Sequence, residues 1–299
     1  MSNSSPIARG SNGLSVLGIS FVVVWCTGYI AGKLMLDHAA PFTALVWRFG
    51  LAGLVFAALA LAAGMRCRRG DVLHSMVTGV LMLAMQFGGV YLAMGWGASA
   101  GVTALAIGLM PLLVAFMAML AGSERLALPQ WCGLLLGFAG VLLVVADRVD
   151  GATPVRAWAE LAVGLAGISM GTLYQKRYSS KIDLRLGLAI QNGVATFALL
   201  PLALAEGFRY EAGRAFYEPL AWTVLVNSVG GFALLFLLIR RDAATGVAAL
   251  FFLMPPVTAV FGHLLLGEHL TLLKLGGFLL AAVGVWLATR TSSQVPASG

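Results

Sequence analysis

Charge is what this chain has least of. Only 10% of its 299 residues are Asp, Glu, Lys or Arg, whereas 60% are hydrophobic. A soluble domain carries roughly 25% charge, so an aqueous globule of this composition would expose a sticky apolar surface. Lipid must be the solvent for most of the chain. Cysteine is scarce as well. Cys26, Cys67 and Cys132 are odd in number, two lie in apolar segments, and none has ligand spacing, which excludes a disulfide framework and a zinc centre. The apolar runs show no period-2 alternation, so a closed barrel is excluded. Helices remain as the way to bond every backbone amide inside lipid.

A helical span needs about 20 apolar residues. Ten segments meet that need, near 14–36, 42–64, 72–94, 99–121, 130–147, 158–175, 186–206, 220–239, 244–266 and 273–289. The connections between them are short and leave no room for a soluble domain. The first segment is too long for a signal peptide's apolar core and is preceded by Arg9 alone, so it reads as a retained helix.

With ten spans, both termini lie on one side. That side collects twelve of the 19 Lys and Arg residues; six lie on the other (Lys33, Arg148, Arg156, Arg209, Arg214 and Lys274), and Arg48 lies within a span. Lys and Arg accumulate in cytoplasmic loops, so cytoplasmic termini are expected. The same bias accounts for the net charge of +7 and the pI near 9.7 without a basic nucleic-acid-binding face. The expected partners are membrane lipid and a small-molecule substrate, with a monomer as the working state, no nucleic acid and no cofactor.

One apolar segment is spelled twice. LMPLLVAFMAMLAGSERL, from Leu109 to Leu126, returns 144 residues later as LMPPVTAVFGHLLLGEHL, from Leu253 to Leu270. The next segment repeats too, Gly133 with Gly277, Gly140 with Gly284 and Val141 with Val285. Gly18-Ile19-Ser20, with Trp25 and Tyr29 after it, matches Gly167-Ile168-Ser169, with Tyr174 and Tyr178 after it; Gly88-Gly89 matches Gly230-Gly231. An odd number of spans separates the copies, so they cross the membrane in opposite directions. The expected fold is all-α, ten transmembrane helices as two inverted five-helix repeats, 1–150 and 151–299, around a central cavity. Inverted repeats that exchange shapes open that cavity to alternate sides.

The paired prolines, the turn containing Glu124 or Glu268, and the Gly-rich helices after each resemble the EamA repeat of the drug/metabolite transporter superfamily. The resemblance spans nearly the whole chain, twice. It implies an exporter in the bacterial inner membrane, most similar to exporters of aromatic amino acids. Helices 1, 3, 4, 6, 8 and 9 would then surround the cavity and helices 5 and 10 would lie outside. Multidrug or purine-type export is the alternative within this fold; a channel or a membrane enzyme is the alternative outside it.

Several residues could carry transport. Pro111 and Pro255, with Pro256 beside the latter, would interrupt their helices and act as hinges while exposing backbone carbonyls. Arg48 is a costly charge inside a span and could snorkel to the near interface. Its repeat-equivalent is Gln191, and the two are expected to act in gating. Trp25, Gln86, Tyr91, Met110, Tyr174, Asn227 and Phe251 are the substrate-site candidates: flat rings for a flat cargo, an adaptable methionine, and neutral polar groups that otherwise serve as interhelical bonds. Phe252 extends the aromatic set, and Trp131, Trp158 and Trp222 suit the lipid interface. Glu124 and Glu268 are expected to offset the N-terminal dipoles of helices 5 and 10. Gly133 with Gly137, and Gly167 with Gly171, predict close helix packing. No Asp or Glu lies deep in a span, so no acidic coupling site stands out. Gly97-Ala98-Ser99-Ala100-Gly101 fits the G-x-S-x-G pattern but joins two apolar helices, and His74 lies at the opposite face. It predicts no nucleophile.

Overall fold

The computed structural model describes residues 16–65, 69–120, 127–147, 153–178, 182–241, 250–251 and 253–290. Arg9, Cys67, Glu124, Arg148 and Phe252 lie outside them. Among the described residues there is no strand, only one antiparallel bridge between Ala39 and Tyr210. Helices α1 (Val16–Leu36) and α2 (Pro41–Ala62) are each unbroken. A third rod joins α3 (Arg69–Gly79) to α4 (Gln86–Gly95) through a π-helical stretch, Val80–Met85. Then come α5 (Ala100–Gly108), α6 (Met110–Leu120), α7 (Leu128–Ala146), α8 (Val155–Tyr178) and α9 (Leu184–Ala205). A second composite rod joins α10 (Arg214–Ala221) to α11 (Phe232–Arg241) through a π-helical stretch, Trp222–Gly231. The last two are α12 (Met254–Leu266) and α13 (Leu272–Arg290).

Among the described residues six segments are long and apolar enough to cross a membrane: Val16–Leu36, Pro41–Ala62, Gly70–Gly95, Ala100–Leu120, Leu184–Ala205 and Arg214–Leu235. Leu128–Val144, Met254–Leu266 and Leu272–Leu287 are shorter apolar helices. The expectation of ten full spans is therefore met only in part. The described part of the ninth span is interrupted at Leu253, and α8, though 24 residues long, carries Arg156, Glu160, Lys176 and Arg177. The outer surface fits a lipid solvent: Leu61 is 78% exposed and Phe197 75%, which water would not tolerate as part of a continuous apolar girdle.

Small residues set the helix pairs. Helix α7 packs along α13, and α2 along α9. A Cβ added at Gly140 would sit 2.5 Å from the Gly277 carbonyl oxygen, and one at Gly284 would sit 2.6 Å from that of Gly133. Residue 140 thus meets 277 while 133 meets 284, so α7 and α13 run antiparallel with their backbones in contact. In the other pair Gly50 lies against Thr196, and Gly53 against Asn192 and Gly193, again antiparallel. The third rod packs on α8, where Gly167 meets Leu81 and Gln86, and Gly171 meets Met82. The close packing expected at these glycines is present. Helix α5 packs on α12, and α1 lies between α12 and the second composite rod.

The prolines sit differently from expectation. Pro111 does not bend a continuous helix. The rod breaks at Leu109, whose carbonyl accepts from the Leu112 and Leu113 amides, and Pro111 opens the first turn of α6. Pro255 likewise occupies the first turn of α12. A first-turn amide has no helical acceptor, so proline costs nothing there. The break itself is retained, in both repeats, at matching positions.

Candidate substrate site

The α1 helix presents Trp25, Gly28 and Gly32 along one face, at the i, i+3, i+7 spacing of a helical stripe. Around Trp25 the rings of Phe21, Phe232 and Phe251 pack at tilted or edge-on angles, with centroids 5.3, 5.9 and 5.9 Å away. Gly231 lies beneath the indole, leaving room for it. These offset and edge-on geometries are the ones aromatic quadrupoles favour. Phe21 and Phe232 escape a sequence reading, because an isolated Phe in an apolar run carries no signal.

One turn further along, the glycines admit polar groups. Asn227 packs against Gly28; its Nδ2 donates to the Val24 carbonyl and, at 3.4 Å, to Thr27 Oγ1. Its Oδ1 is buried and accepts no hydrogen bond. Asn227 lies within the wide turns of the second π-helical stretch, where Ser228 Oγ donates to the Thr223 carbonyl five residues back. Such stretches are frequent at functional sites. At Gly32 the visitor is Tyr91, whose hydroxyl oxygen would lie 3.0 Å from an added Cβ.

Arg48 corrects the snorkelling expectation. Its residue is only 7% exposed, its Nη1 donates to Tyr91 Oη at 3.0 Å, and its guanidinium carbon lies 4.5 Å from the Phe87 ring centroid. Its Nε is buried without an acceptor, and among the described residues no carboxylate pairs with it. The ring contact offsets part of the desolvation. Gln191, the expected gating partner, lies elsewhere: its backbone is met by Gly79 of the third rod. The α2–α9 register places the two side chains about six residues, or roughly 9 Å, apart along the pair, so they do not form a direct contact.

Of the seven substrate candidates the structure gathers Trp25, Asn227, Phe251 and Tyr91 around α1, with Arg48 added. Gln86 is buried between the third rod and α8. Met110 opens α6, half-buried. Tyr174 belongs to another cluster: its hydroxyl lies 2.9 Å from His74 Nδ1, and Tyr178 stacks on the same imidazole at 5.2 Å. A small apolar pocket lies between Gly108 and Leu109, Phe251, Pro255 and α13 residues Ala281, Ala282 and Val285, at the breaks of the two interrupted rods.

Away from the His74–Tyr174 end, polar ties join elements within the first repeat and between the two repeats. Lys33 Nζ donates to the carbonyls of Met94 (3.0 Å) and Ala98 (2.8 Å), where α4 ends. A cation suits a helix C-terminus. Glu268 Oε1 accepts from the Ala100 amide at 2.7 Å. Glu268 therefore serves a helix N-terminus, as its residue type suggested, but that of α5; α13 is capped instead by Thr271, whose Oγ1 accepts from the Lys274 amide. Thr271 also bonds Asp147. The Ala40 amide donates to the Arg209 carbonyl, and Phe42 N to Glu206 Oε2. Burial pushes the carboxyls of Glu268 and Glu206 above their ordinary range, against the backbone amides that favour the charged form. Ser99 accepts from the Val102 amide as the N-cap of α5, which explains the serine of the G-x-S-x-G pattern.

A helical, lipid-facing bundle with a buried aromatic and polar seam is the architecture of a multi-pass membrane protein. The EamA-like transporter family model matches residues 14–146 and again 157–290, so the chain belongs to the EamA-like transporter family. It is 27% identical over 292 residues to the uncharacterized transporter YvbV of Bacillus subtilis (strain 168), covering 93% of this chain and 92% of that one. It is 24% identical over 284 residues to a probable amino-acid metabolite efflux pump of Salmonella typhimurium, covering 91% and 93%. A crystal structure at 17% identity superposes with a TM-score of 0.66, covering 94% of this chain and 98% of that one, a likeness of fold.

Proposed function

We propose that this transporter exports small amphipathic metabolites, with aromatic amino acids as the preferred cargo, across the bacterial inner membrane. Ten helices in two inverted halves, 1–150 and 151–299, exchange access from side to side, and both termini lie in the cytoplasm. The observation that carries the cargo reading is the aromatic box of Phe21, Trp25, Phe232 and Phe251, with Asn227, Tyr91 and Arg48 beside it. Its members come from both repeats. Relatives named amino-acid metabolite efflux pumps support it. The inversion is supported by reciprocal contacts: 140 meets 277 as 284 meets 133, and 50 meets 196 as 193 meets 53. A two-fold axis relating the halves would make homologous residues exchange partners in this way. The breaks at Leu109 and Leu253, and the matched π-helical stretches, are the hinges; Arg48 and Gln191 support the gates.

Purified protein in liposomes should carry phenylalanine, tyrosine and tryptophan with saturable kinetics. Flux no greater than that of empty vesicles would remove this cargo, and flux that rises linearly with concentration would indicate a channel. Stronger competition by purines or cationic drugs would favour the other exporter reading. Trp25→Ala should weaken the apparent affinity for tryptophan about tenfold, the equivalent of roughly 1.4 kcal/mol of lost ring contact.

A further inference from the structure

We infer that Arg48 and Asn227 form a recognition site for the α-ammonium and α-carboxylate of an amino acid, Arg48 taking the carboxylate and Asn227 Oδ1 the ammonium. The inference rests on the reading of the α1 face as the cargo site. It assigns Arg48 to cargo contact, as a positively charged anchor, in place of gating alone.

Among the described residues, two buried atoms along this face, Arg48 Nε and Asn227 Oδ1, have no hydrogen-bond partner, and their needs are opposite. The guanidinium of Arg48 is permanently charged and sits seven residues into α2 from Pro41, about 10 Å along its axis, in a lipid-embedded rod. Among the described residues Tyr91 Oη is the one acceptor bonded to it, and Nε has none. A buried cation left without an anion is among the costliest arrangements in a protein, and a guanidinium is shaped to hold a carboxylate through two parallel bonds. Asn227 spends its Nδ2 on the Val24 carbonyl, which fixes the amide so that Oδ1 is the free end. That oxygen can only accept, so it calls for a donor.

The spacing fits one molecule. Asn227 meets α1 at Gly28, and Tyr91 meets it at Gly32, four residues or about 6 Å further along the same face. Arg48 adds one hydrogen bond's length beyond Tyr91. The acceptor and the cation are thus separated by about 6–9 Å, enough for an ammonium and a carboxylate on one carbon with a hydrogen bond of about 2.8 Å at each end. Trp25 lies one turn from Gly28 with Phe21, Phe232 and Phe251 around it, where the side chain of the same molecule would reach. Arg48 and Tyr91 belong to the first repeat and Asn227 to the second. Both unpaired atoms are buried here, so the site is shut in this structure, and parting the repeats is the motion that would open it.

The test compares three probes on the full chain in nanodiscs by calorimetry: phenylalanine, 3-phenylpropionate (no ammonium) and phenylalaninamide (no free carboxylate). The wild type should prefer phenylalanine. Arg48→Gln should weaken phenylalanine and 3-phenylpropionate about tenfold or more and phenylalaninamide by no more than about twofold, while Arg48→Lys, which keeps the charge, should recover part of the loss. Asn227→Ala should weaken phenylalanine and phenylalaninamide more than 3-phenylpropionate. Equal weakening of all three probes by both variants, which a general packing defect would cause, overturns the inference. So does undiminished phenylalanine affinity in Arg48→Gln, with the export reading left intact. Arg48-dependent binding of 3-phenylpropionate by a wild type that neither binds nor carries amino acids would overturn the cargo reading and the ammonium half, and uphold the carboxylate anchor.

Discussion

Gly140→Leu should cost the bundle about 3 kcal/mol or more and lower its thermal midpoint by several degrees. Even a methyl group at residue 140 would lie 2.5 Å from the Gly277 oxygen, 2.7 Å from the Ala281 nitrogen and 2.9 Å from its Cβ. Two of those neighbours are backbone, which cannot rotate away, so α7 and α13 must separate. In lipid nothing compensates, because dispersion across close backbones is what holds such helices together. Gly284→Ala and Gly140→Ala should cost similar amounts, since a Cβ at 284 meets Gly137 N at 2.5 Å and Gly133 O at 2.6 Å. Gly276 supplies the control. It lies on the same helix as Gly277 with nothing within 4 Å of an added Cβ, and Gly276→Ala should be neutral or stabilising by up to about 1 kcal/mol through helix propensity. Midpoints of the four variants in one detergent decide the matter. An unchanged midpoint for Gly140→Leu would mean that the two helices do not meet as described.

The features legible in the sequence are those that solvent and repetition impose. Apolar length marked the unbroken rods because lipid admits little else, and the small residues of α7 and α13 were readable because close approach leaves them no substitute. The breaks were legible less well. Pro111 and Pro255 announce an interruption, but whether the chain kinks through a proline or restarts a helix at it depends on the preceding turn, here set by Leu109 and Leu253. The π-helical stretches left no trace in composition, since an extra residue per turn is tolerated wherever neighbours fill the wider groove. Long-range polar pairings were the least readable. Arg48 stood out as a charge inside a span, yet its partner Tyr91 is 43 residues away on a different rod. Tyr174 and Trp25 occupy equivalent positions in the two repeats, but the first faces His74 and the second an aromatic box. Equivalent positions have diverged because they meet different neighbours.

Glu268→Ala should lower stability by about 1–3 kcal/mol, and Glu268→Gln should abolish a pH dependence that the native chain shows. The alanine variant strands the Ala100 amide, and with it the neighbouring Gly101 amide, at the buried start of α5. Glutamine keeps an oxygen in place and removes the charge. Burial raises the Glu268 carboxyl above its ordinary value of 4.5, and the amides and Lys33 and Lys274 lower it by less. His263, whose Nδ1 lies 2.8 Å from the Glu268 carbonyl oxygen, flanks the same turn. With the folded value raised, the native state binds more protons than the unfolded chain between 4.5 and that raised value. Stability in this window therefore falls as pH rises: the contribution is complete below 4.5 and is lost as pH climbs through the folded value. Glu206 is shifted in the same direction but remains in both proteins, so the difference between wild type and Glu268→Gln isolates Glu268. Asp183, held low by Arg185, titrates below the window. Midpoints measured from pH 4.5 upward should show the wild type losing stability relative to Glu268→Gln. A constant gap at every pH would assign Glu268 a neutral capping role, while a wild type that gains on the variant as pH rises would mean that attraction to Lys33 outweighs burial. Because Glu268 belongs to the second repeat and the α5 amide to the first, its deprotonation as pH rises weakens a tie between repeats at the end of the bundle where Lys33 holds the carbonyls of Met94 and Ala98.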